Sequence, residues 1–224
     1  MPNPLIELKN VTKTYHTGTV YYNALDDISV TIGENEFVAV MGPSGSGKST
    51  LLNIVAGIDR PTNGQIVVGG TALSTLKSSG LATYRKTQVG IIFQSFNLLN
   101  HFTALENVNL SLILQGADSN EHKEKAAEAL KWIGLGERLN NKPTQLSGGE
   151  QQRVAIVRAL VKNPKIILAD EPTGNLDSKT GQQIVELIKS LKSQGKTIIL
   201  VTHNQEIARA SDRIIQMKDG CIIP

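Results

Sequence analysis

Residues 42–49 read Gly-Pro-Ser-Gly-Ser-Gly-Lys-Ser and stand between an apolar run, Phe37–Met41, and an apolar stretch of helical character, Ser49–Ala56. Glycines at 42, 45 and 47 let backbone N–H groups turn inward with no Cβ in the way. The helix that follows points its positive end at the same place, so the segment is built to receive an anion. Lys48 and the Ser49 hydroxyl narrow the anion to a phosphate chain, Lys48 reaching the outer phosphates and Ser49 ligating Mg²⁺. The same letters also describe a plain glycine-rich turn. The order strand, loop, helix favours a bound nucleoside triphosphate.

The rest of the pattern supplies a frame for such a loop. Leu5–Val11 alternates apolar and polar residues, Ile28–Ile32 and Glu36–Met41 flank turn material at Gly33-Glu34-Asn35, and Ile66–Val68 reads as an edge strand. Ile166–Ala169 and Ile198–Val201 are apolar throughout, as in strands buried on both faces of a parallel sheet. Arg213–Met217 and Cys221–Ile223 form a hairpin around an Asp-Gly turn. Helical segments at 49–56, 151–161, 178–193 and 205–210 alternate with these strands, predicting βαβ units. From about Ser95 to Ser147 strand signals vanish, and Ala126, Leu130 and Ile133 recur at helical spacing. That stretch is a helical insertion in an α/β core.

Two buried strands end in chemistry. Residues 165–172, Lys-Ile-Ile-Leu-Ala-Asp-Glu-Pro, close in adjacent carboxylates. Ligands of open parallel sheets lie beyond the carboxyl ends of the strands. Asp170 is then placed to hold Mg²⁺ through its water shell and Glu171 to orient or deprotonate an attacking water, against the plainer reading of helix-capping or solvated acids. Thr197–Thr202 ends in His203, which is positioned for a γ-phosphate or the water; elsewhere a loop histidine is a surface residue. A third element, Leu146-Ser147-Gly148-Gly149-Glu150-Gln151-Gln152-Arg153, opens a helix with a hydroxyl and two glycines, a second anion receptor. A chain with one triphosphate loop and a second receptor is explained by two chains, each completing the other's site.

These motifs, in this order, resemble the ATP-binding-cassette (ABC) ATPases over nearly the full length: GPSGSGKST (Gly42–Thr50) the phosphate loop, LSGGEQQR the signature, IILADEP the acidic strand. The resemblance implies one nucleotide-binding domain over 1–224, an α/β phosphate-loop NTPase core with a mainly parallel sheet and an N-terminal antiparallel β subdomain. The core would take 1–94 and 154–224, and a helical subdomain 95–153. It implies ATP hydrolysis with Mg²⁺ held by Ser49, Gln94 and Asp170, and catalysis by Glu171, His203 and Gln94. ATP contacts would come from Tyr15, which stacks on adenine, and from Gly42, Pro43, Ser44, Gly45, Ser46, Gly47, Lys48, Ser49 and Thr50. In the opposite subunit's site, Leu146, Ser147, Gly148, Gly149 and Glu150 would meet the nucleotide, and Asn175, Leu176 and Asp177 would form the dimer contact. For Tyr15 the competing reading is rim packing. Asn204 stands where many members have Asp, a departure expected to leave the chemistry untouched.

The wording Phe-Asn-Leu-Leu and Thr-Ala-Leu-Glu-Asn-Val resembles the lipoprotein-releasing, macrolide-exporter, antimicrobial-peptide-resistance and cell-division branch. That branch implies an ATP-dependent homodimer, a permease-type integral membrane partner that carries selectivity, and a peripheral place on the cytoplasmic face of the membrane. Ser95–Asn109 would line the groove for the partner's coupling helix, or else simply pack the helical insertion. A net charge of +3 is too slight for a nucleic-acid partner, a single cysteine excludes an internal disulfide framework and fits a reducing compartment, and no apolar run spans a bilayer. No secretion leader and no regulatory extension after the last strand are expected. The alternative class is a soluble ABC-type ATPase acting on nucleic acid or ribosomes. One compact cassette without coiled coils or a second cassette argues against it. A nucleotide switch with negligible turnover is disfavoured by Glu171 and His203.

Overall fold

The computed structural model describes residues 4–116 and 119–223. Met1–Asn3, where the reading of a leader-free start begins, and Pro224, where the reading of an extension-free end falls, lie outside the described residues. The chain divides into two compact units, Met1–Arg85 with Lys189–Pro224, and Lys86–Ile188. Among the described residues no helix is long and apolar enough to cross a membrane.

The first unit holds a four-stranded antiparallel sheet and a group of parallel strands. The antiparallel order is β2 (Val20–Gly33), β1 (Pro4–Thr17), β4 (Asn63–Val68), β5 (Thr71–Ala72). The Ile66–Val68 strand is therefore not an edge. A two-residue strand, too short to leave a sequence signal, covers it. The β1–β2 ladder is bulged between Leu8 and Lys13. There Asn10 and Asp27 take left-handed backbones (φ 49° and 50°) and the Asn10 amide donates to Asp27 Oδ1 at 2.8 Å. The bulges interrupt the alternation expected only as far as Val11, yet the strand runs on to Thr17.

Parallel strands β8 (Thr197–Val201) and β9 (Arg213–Lys218) flank β3 (Phe37–Met41), with Val38 opposite both Ile199 and Arg213. Every residue of β3 and β8 is buried, the continuous apolar pattern doing what it predicts. β10 (Cys221–Ile223) returns antiparallel to β9. Its Asp219 and Gly220 both lie at positive φ (48° and 81°), the geometry of a tight mirror-image hairpin turn. Helix α1 (Lys48–Val55) follows β3; α2 (Ser78–Thr87), without a clear apolar period, was not legible in the sequence. It is tied down by Tyr84, whose buried hydroxyl donates to Val55 O at 2.8 Å. The helix expected at 205–210 shrinks to one turn, α7 (Gln205–Ala208), capped by Asn204.

The second unit pairs β6 (Val89–Phe93) in parallel with β7 (Ile166–Asp170), Phe93 opposite Asp170. Helices α3 (Ala104–Ile113), α4 (Ser119–Trp132) and α5 (Gly148–Leu160) enclose a cluster that includes Leu105, Val108, Leu112, Ala126, Leu130, Val154 and Val157. Helix α6 (Ser178–Lys192) follows β7. Thr103 starts α3 with a capping box, its hydroxyl accepting from Glu106 N while Glu106 accepts from Thr103 N. Buried Asn107 accepts from Leu99 N (2.8 Å) and donates to the carbonyl of Thr103 (2.9 Å), fastening the 99–103 turn to α3.

Helix α5 lies close enough to β6 that a Cβ on Gly90 would meet Ala159 O at 2.8 Å. Gly90→Ala is therefore expected to lower folding stability by about 1–3 kcal/mol through overpacking, read as a lower midpoint in urea with an unchanged slope.

Candidate nucleotide and hydrolysis site

In the first unit the loop between β3 and α1 is held so close to other backbone that two of its residues have room for no side chain. A Cβ on Gly42 would sit 2.1 Å from Met217 O, and one on Gly47 would sit 2.2 Å from Ala24 O. Gly47 also lies at φ 96° and is the N-cap of α1, which has no acidic residue in its first turn. The helix N-terminus therefore keeps its positive end for an external anion. Lys48 is buried, with its ammonium donating to Gly42 O (2.9 Å) and Pro43 O (2.7 Å). The loop's own carbonyls thus curl the lysine over it. Ser46 is 2% exposed and its hydroxyl has no hydrogen-bond partner among the described residues, while its carbonyl accepts from Gly220 N at 3.3 Å. The β9–β10 hairpin turn thereby braces the loop.

Two further predicted residues join this loop in the first unit. Val201 pairs with Val40, so His203 leaves the sheet two residues on, level with Gly42, and is exposed. Tyr15 is half-buried; its hydroxyl donates to Asp59 Oδ2 at 2.7 Å and also meets the Thr50 side chain. Lys13 donates to the other Asp59 oxygen at 2.6 Å and stands 4.8 Å from the Tyr15 ring centre. Burial, with the Asp59 carboxylate beside it, pushes the Tyr15 phenol above its ordinary range. The Lys13–Asp59 brace gave no sequence signal, because its members lie 46 residues apart.

The second unit gathers the other predicted residues. Asp170 ends β7, and Glu171 follows with φ 45°, a left-handed backbone that costs a non-glycine residue about 1–3 kcal/mol. The Glu171 carbonyl accepts from Gly174 N at 3.0 Å, closing a tight turn. Gln94, next after β6, has its carbonyl bonded by the Asn175 amide at 3.0 Å. Its side chain lies across Gly174, where a Cβ would be 2.6 Å from Gln94 Nε2. Asp177 caps α6 through Thr180 N (3.1 Å), and the Thr180 side chain first, with that N–H second, holds its carboxyl below the ordinary range.

Ser147 is the N-cap of α5 in a reciprocal box: its Oγ accepts from Glu150 N (3.3 Å) and Glu150 Oε2 accepts from Ser147 N (2.8 Å). A capping hydroxyl that accepts still has its own proton to donate. Gly149 is forced by Thr180, whose Cγ2 would lie 2.4 Å from a Cβ there. Leu146 is buried in the helical core. Ser147, Gly148 and Gly149 line, with Arg153, Asn175, Leu176 and Asp177, a depression of about 320 Å³.

A strand–loop–helix phosphate cradle, a strand-end acid pair and a capped serine-glycine helix start define the class of phosphate-loop ATPases with a second anion receptor. The ABC transporter family model matches residues 25–174, and the chain belongs to that family as its ATPase cassette. An uncharacterised ABC transporter ATP-binding protein of Methanocaldococcus jannaschii, MJ0796, is 52% identical over 221 residues, covering 96% of this chain and 94% of that one. The macrolide export ATP-binding/permease protein MacB of Hyphomonas neptunium is 49% identical over 223 residues, all of this chain, which spans only 35% of that relative's length. The dimeric post-hydrolysis structure of MJ0796 bound to ADP and Pi matches with a TM-score of 0.92 at 49% identity, covering 98% of this chain and 97% of that one.

Backbone and side-chain bonds from Ser147 are the main cause of a Glu150 carboxyl held below its ordinary 4.5, with Arg138 at 3.2 Å adding to them. A depressed acid contributes stability above its unfolded pKa and loses it as pH falls through the folded value. Wild-type protein should therefore lose more stability than Glu150→Gln between pH 5 and pH 3, in denaturant melts at each pH. Ser147→Ala should cost about 0.5–2 kcal/mol at neutral pH through loss of the cap.

Proposed function

We propose that this chain hydrolyses ATP as half of a head-to-tail homodimer and transmits the resulting motion to an integral membrane partner. The observation that carries this is the helix start at Ser147: a proton-donating cap and two glycines face an open depression, in a chain whose phosphate cradle is already built at Gly42–Thr50. Two copies in isologous arrangement satisfy both receptors. The dimer reported for MJ0796 with ADP and Pi supports the same reading.

In this scheme Tyr15 stacks on adenine, with its hydroxyl tethered by Asp59 so that the ring keeps its angle. The loop N–H groups and Lys48 take the phosphates, Lys48 exchanging the Gly42 and Pro43 carbonyls for phosphate oxygens. Ser49, Gln94 and Asp170 would each offer an oxygen ligand, a set that suits Mg²⁺, and the loop at Gly45, where a Cβ would meet nothing within 4 Å, leaves room for the phosphates that would complete its shell. When bound, Mg²⁺ neutralises charge developing on the phosphates. Glu171 accepts a proton from the attacking water and His203 holds the γ-phosphate end. Ser147 and Gly149 close over the nucleotide from the second chain, and Asn175–Asp177 contact that chain beside it. Exposed Leu99 and Phe102, on the turn fastened by Asn107, supply the apolar surface for a coupling helix. The macrolide export relative, an ATP-binding/permease protein, supports a permease-type partner and a peripheral place on the cytoplasmic membrane face.

Glu171→Gln should form an ATP-dependent dimer on size exclusion with turnover reduced at least 100-fold, and normal turnover would remove Glu171 from the mechanism. Lys48→Ala should lose ATP binding by titration. Tagged Glu171→Gln protein with ATP should recover one membrane protein in near-equal amount from gently solubilised membranes; recovery of only soluble ribosomal or DNA-bound proteins would reverse the membrane reading.

A further inference from the structure

We infer that Gln152 is a positioning residue for hydrolysis, holding the turn that carries Glu171 through the carbonyl of Pro172. The inference rests on the reading of Glu171 as the base. Gln152 lies in α5 and is fully buried, at 0% exposure. With Ile156 and Ala159 it forms a buried stripe at helical spacing, and Ala159 is where the helix meets Gly90 of β6. Gln152 stands at the end of that stripe nearest Ser147. Its Nε2 donates to Pro172 O at 2.7 Å. The amide orientation follows from that partner, since a carbonyl accepts and only the nitrogen donates.

Three features single out this bond. First, Gln152 Oε1 has no hydrogen-bond partner among the described residues, so the amide is buried for a single bond. A buried amide that leaves an acceptor unsatisfied is destabilising compared with an apolar side chain of the same shape, so packing alone does not account for a glutamine here. Second, Pro172 directly follows the left-handed Glu171, and a residue before proline is already pushed away from helical backbone. A conformation so disfavoured persists only when its surroundings over-determine it. Third, two of the bonds that do so can be named. The Glu171 carbonyl is bonded by Gly174 N (3.0 Å), and the next carbonyl along, that of Pro172, is bonded by Gln152. Together they hold the two peptide groups that follow Glu171, Glu171–Pro172 and Pro172–Thr173. The direction of the Glu171 side chain follows from the backbone they hold.

Gln152, at 0% exposure and bonded to Pro172 O, acts through Glu171. Its removal therefore affects the chemical step and not nucleotide binding. Gln152→Met keeps length and helix propensity while deleting the donor. It is expected to lower kcat for ATP about 10- to 100-fold, the scale of a displacement near 1 Å at the reacting group, with KM for ATP and the thermal midpoint nearly unchanged. Gln152→Leu, which deletes the donor with an apolar side chain of good helix propensity, is the second variant should the methionine protein fail to fold. In a cycle with Glu171→Gln the two losses should not multiply: in the Glu171→Gln background, Gln152→Met should change the residual single-turnover rate less than twofold. The double variant should still dimerise with ATP.

Wild-type kcat in Gln152→Met, a loss confined to KM or to the thermal midpoint, or fully multiplicative losses would each overturn the inference. Normal turnover in Glu171→Gln itself would overturn both this inference and the reading of Glu171 on which it rests. An inactive Glu171→Gln beside a fully active Gln152→Met would overturn this one alone.

Discussion

The functional architecture of the first unit depends on backbone touching backbone. At Gly42 and Gly47 the phosphate loop passes so near the carbonyls of Met217 and Ala24 that even a methyl group would collide with them. That contact joins β3, the strand that launches the loop, to β9 and to β2, which belong to different sheets. The loop's curvature is thus held by neighbours as well as by its own hydrogen bonds, from Ser46 N to Pro43 O at 3.3 Å and from the Lys48 ammonium to the carbonyls of Gly42 and Pro43. Preorganisation of this kind places the cost of ordering the loop in folding rather than in ligand binding.

The second unit solves a different problem, presenting acids and donors at the ends of elements without letting them collapse onto one another. Glu150 and Asp177 both serve helix N-termini, and both carboxyls are held below their ordinary range, Glu150 chiefly by the Ser147 N–H and Asp177 by the Thr180 side chain and N–H. Their charge is spent locally. Glu171 is set apart by backbone: β7 stops at Asp170, and the reversal to φ 45° turns the next residue out of the strand's alternation. Period-two alternation alone puts the two acids on opposite faces of a strand. In the structure their difference comes from the strand having ended between them.

What was legible in the sequence follows how local its cause is. The apolar runs of β3, β7 and β8, the Asp-Gly hairpin and the capped start of α5 were all readable, because each is specified within a few neighbouring residues. The phosphate loop was readable for the same reason. Strand β6 escaped notice: Val89–Phe93 contains Gly90, which reads as a break but is the point where α5 comes closest. Strand β5 has two residues and no pattern to show. The brace on Tyr15 and the bond from Gln152 to Pro172 join positions 44 and 20 residues apart, so no local rule finds them.

The split between legible and hidden residues has a physical meaning for this class of site. Groups suited to meet a nucleotide stand at loop tips and helix starts, where glycine, serine, lysine and acids in sequence betray them. Groups that hold those residues in place are buried and draw on distant parts of the chain. Asn107 and Gln152 illustrate the second kind: both are buried amides at 1% and 0% exposure, and both bind backbone carbonyls of turns that carry exposed residues. Asn107 fastens the turn with Leu99 and Phe102, Gln152 the turn with Glu171. A carboxamide suits the task because it recognises the peptide group in its own chemistry while carrying no charge into the core. In the second unit, two turns that carry exposed residues are thus each held by a neutral side chain from a helix of the same compact unit.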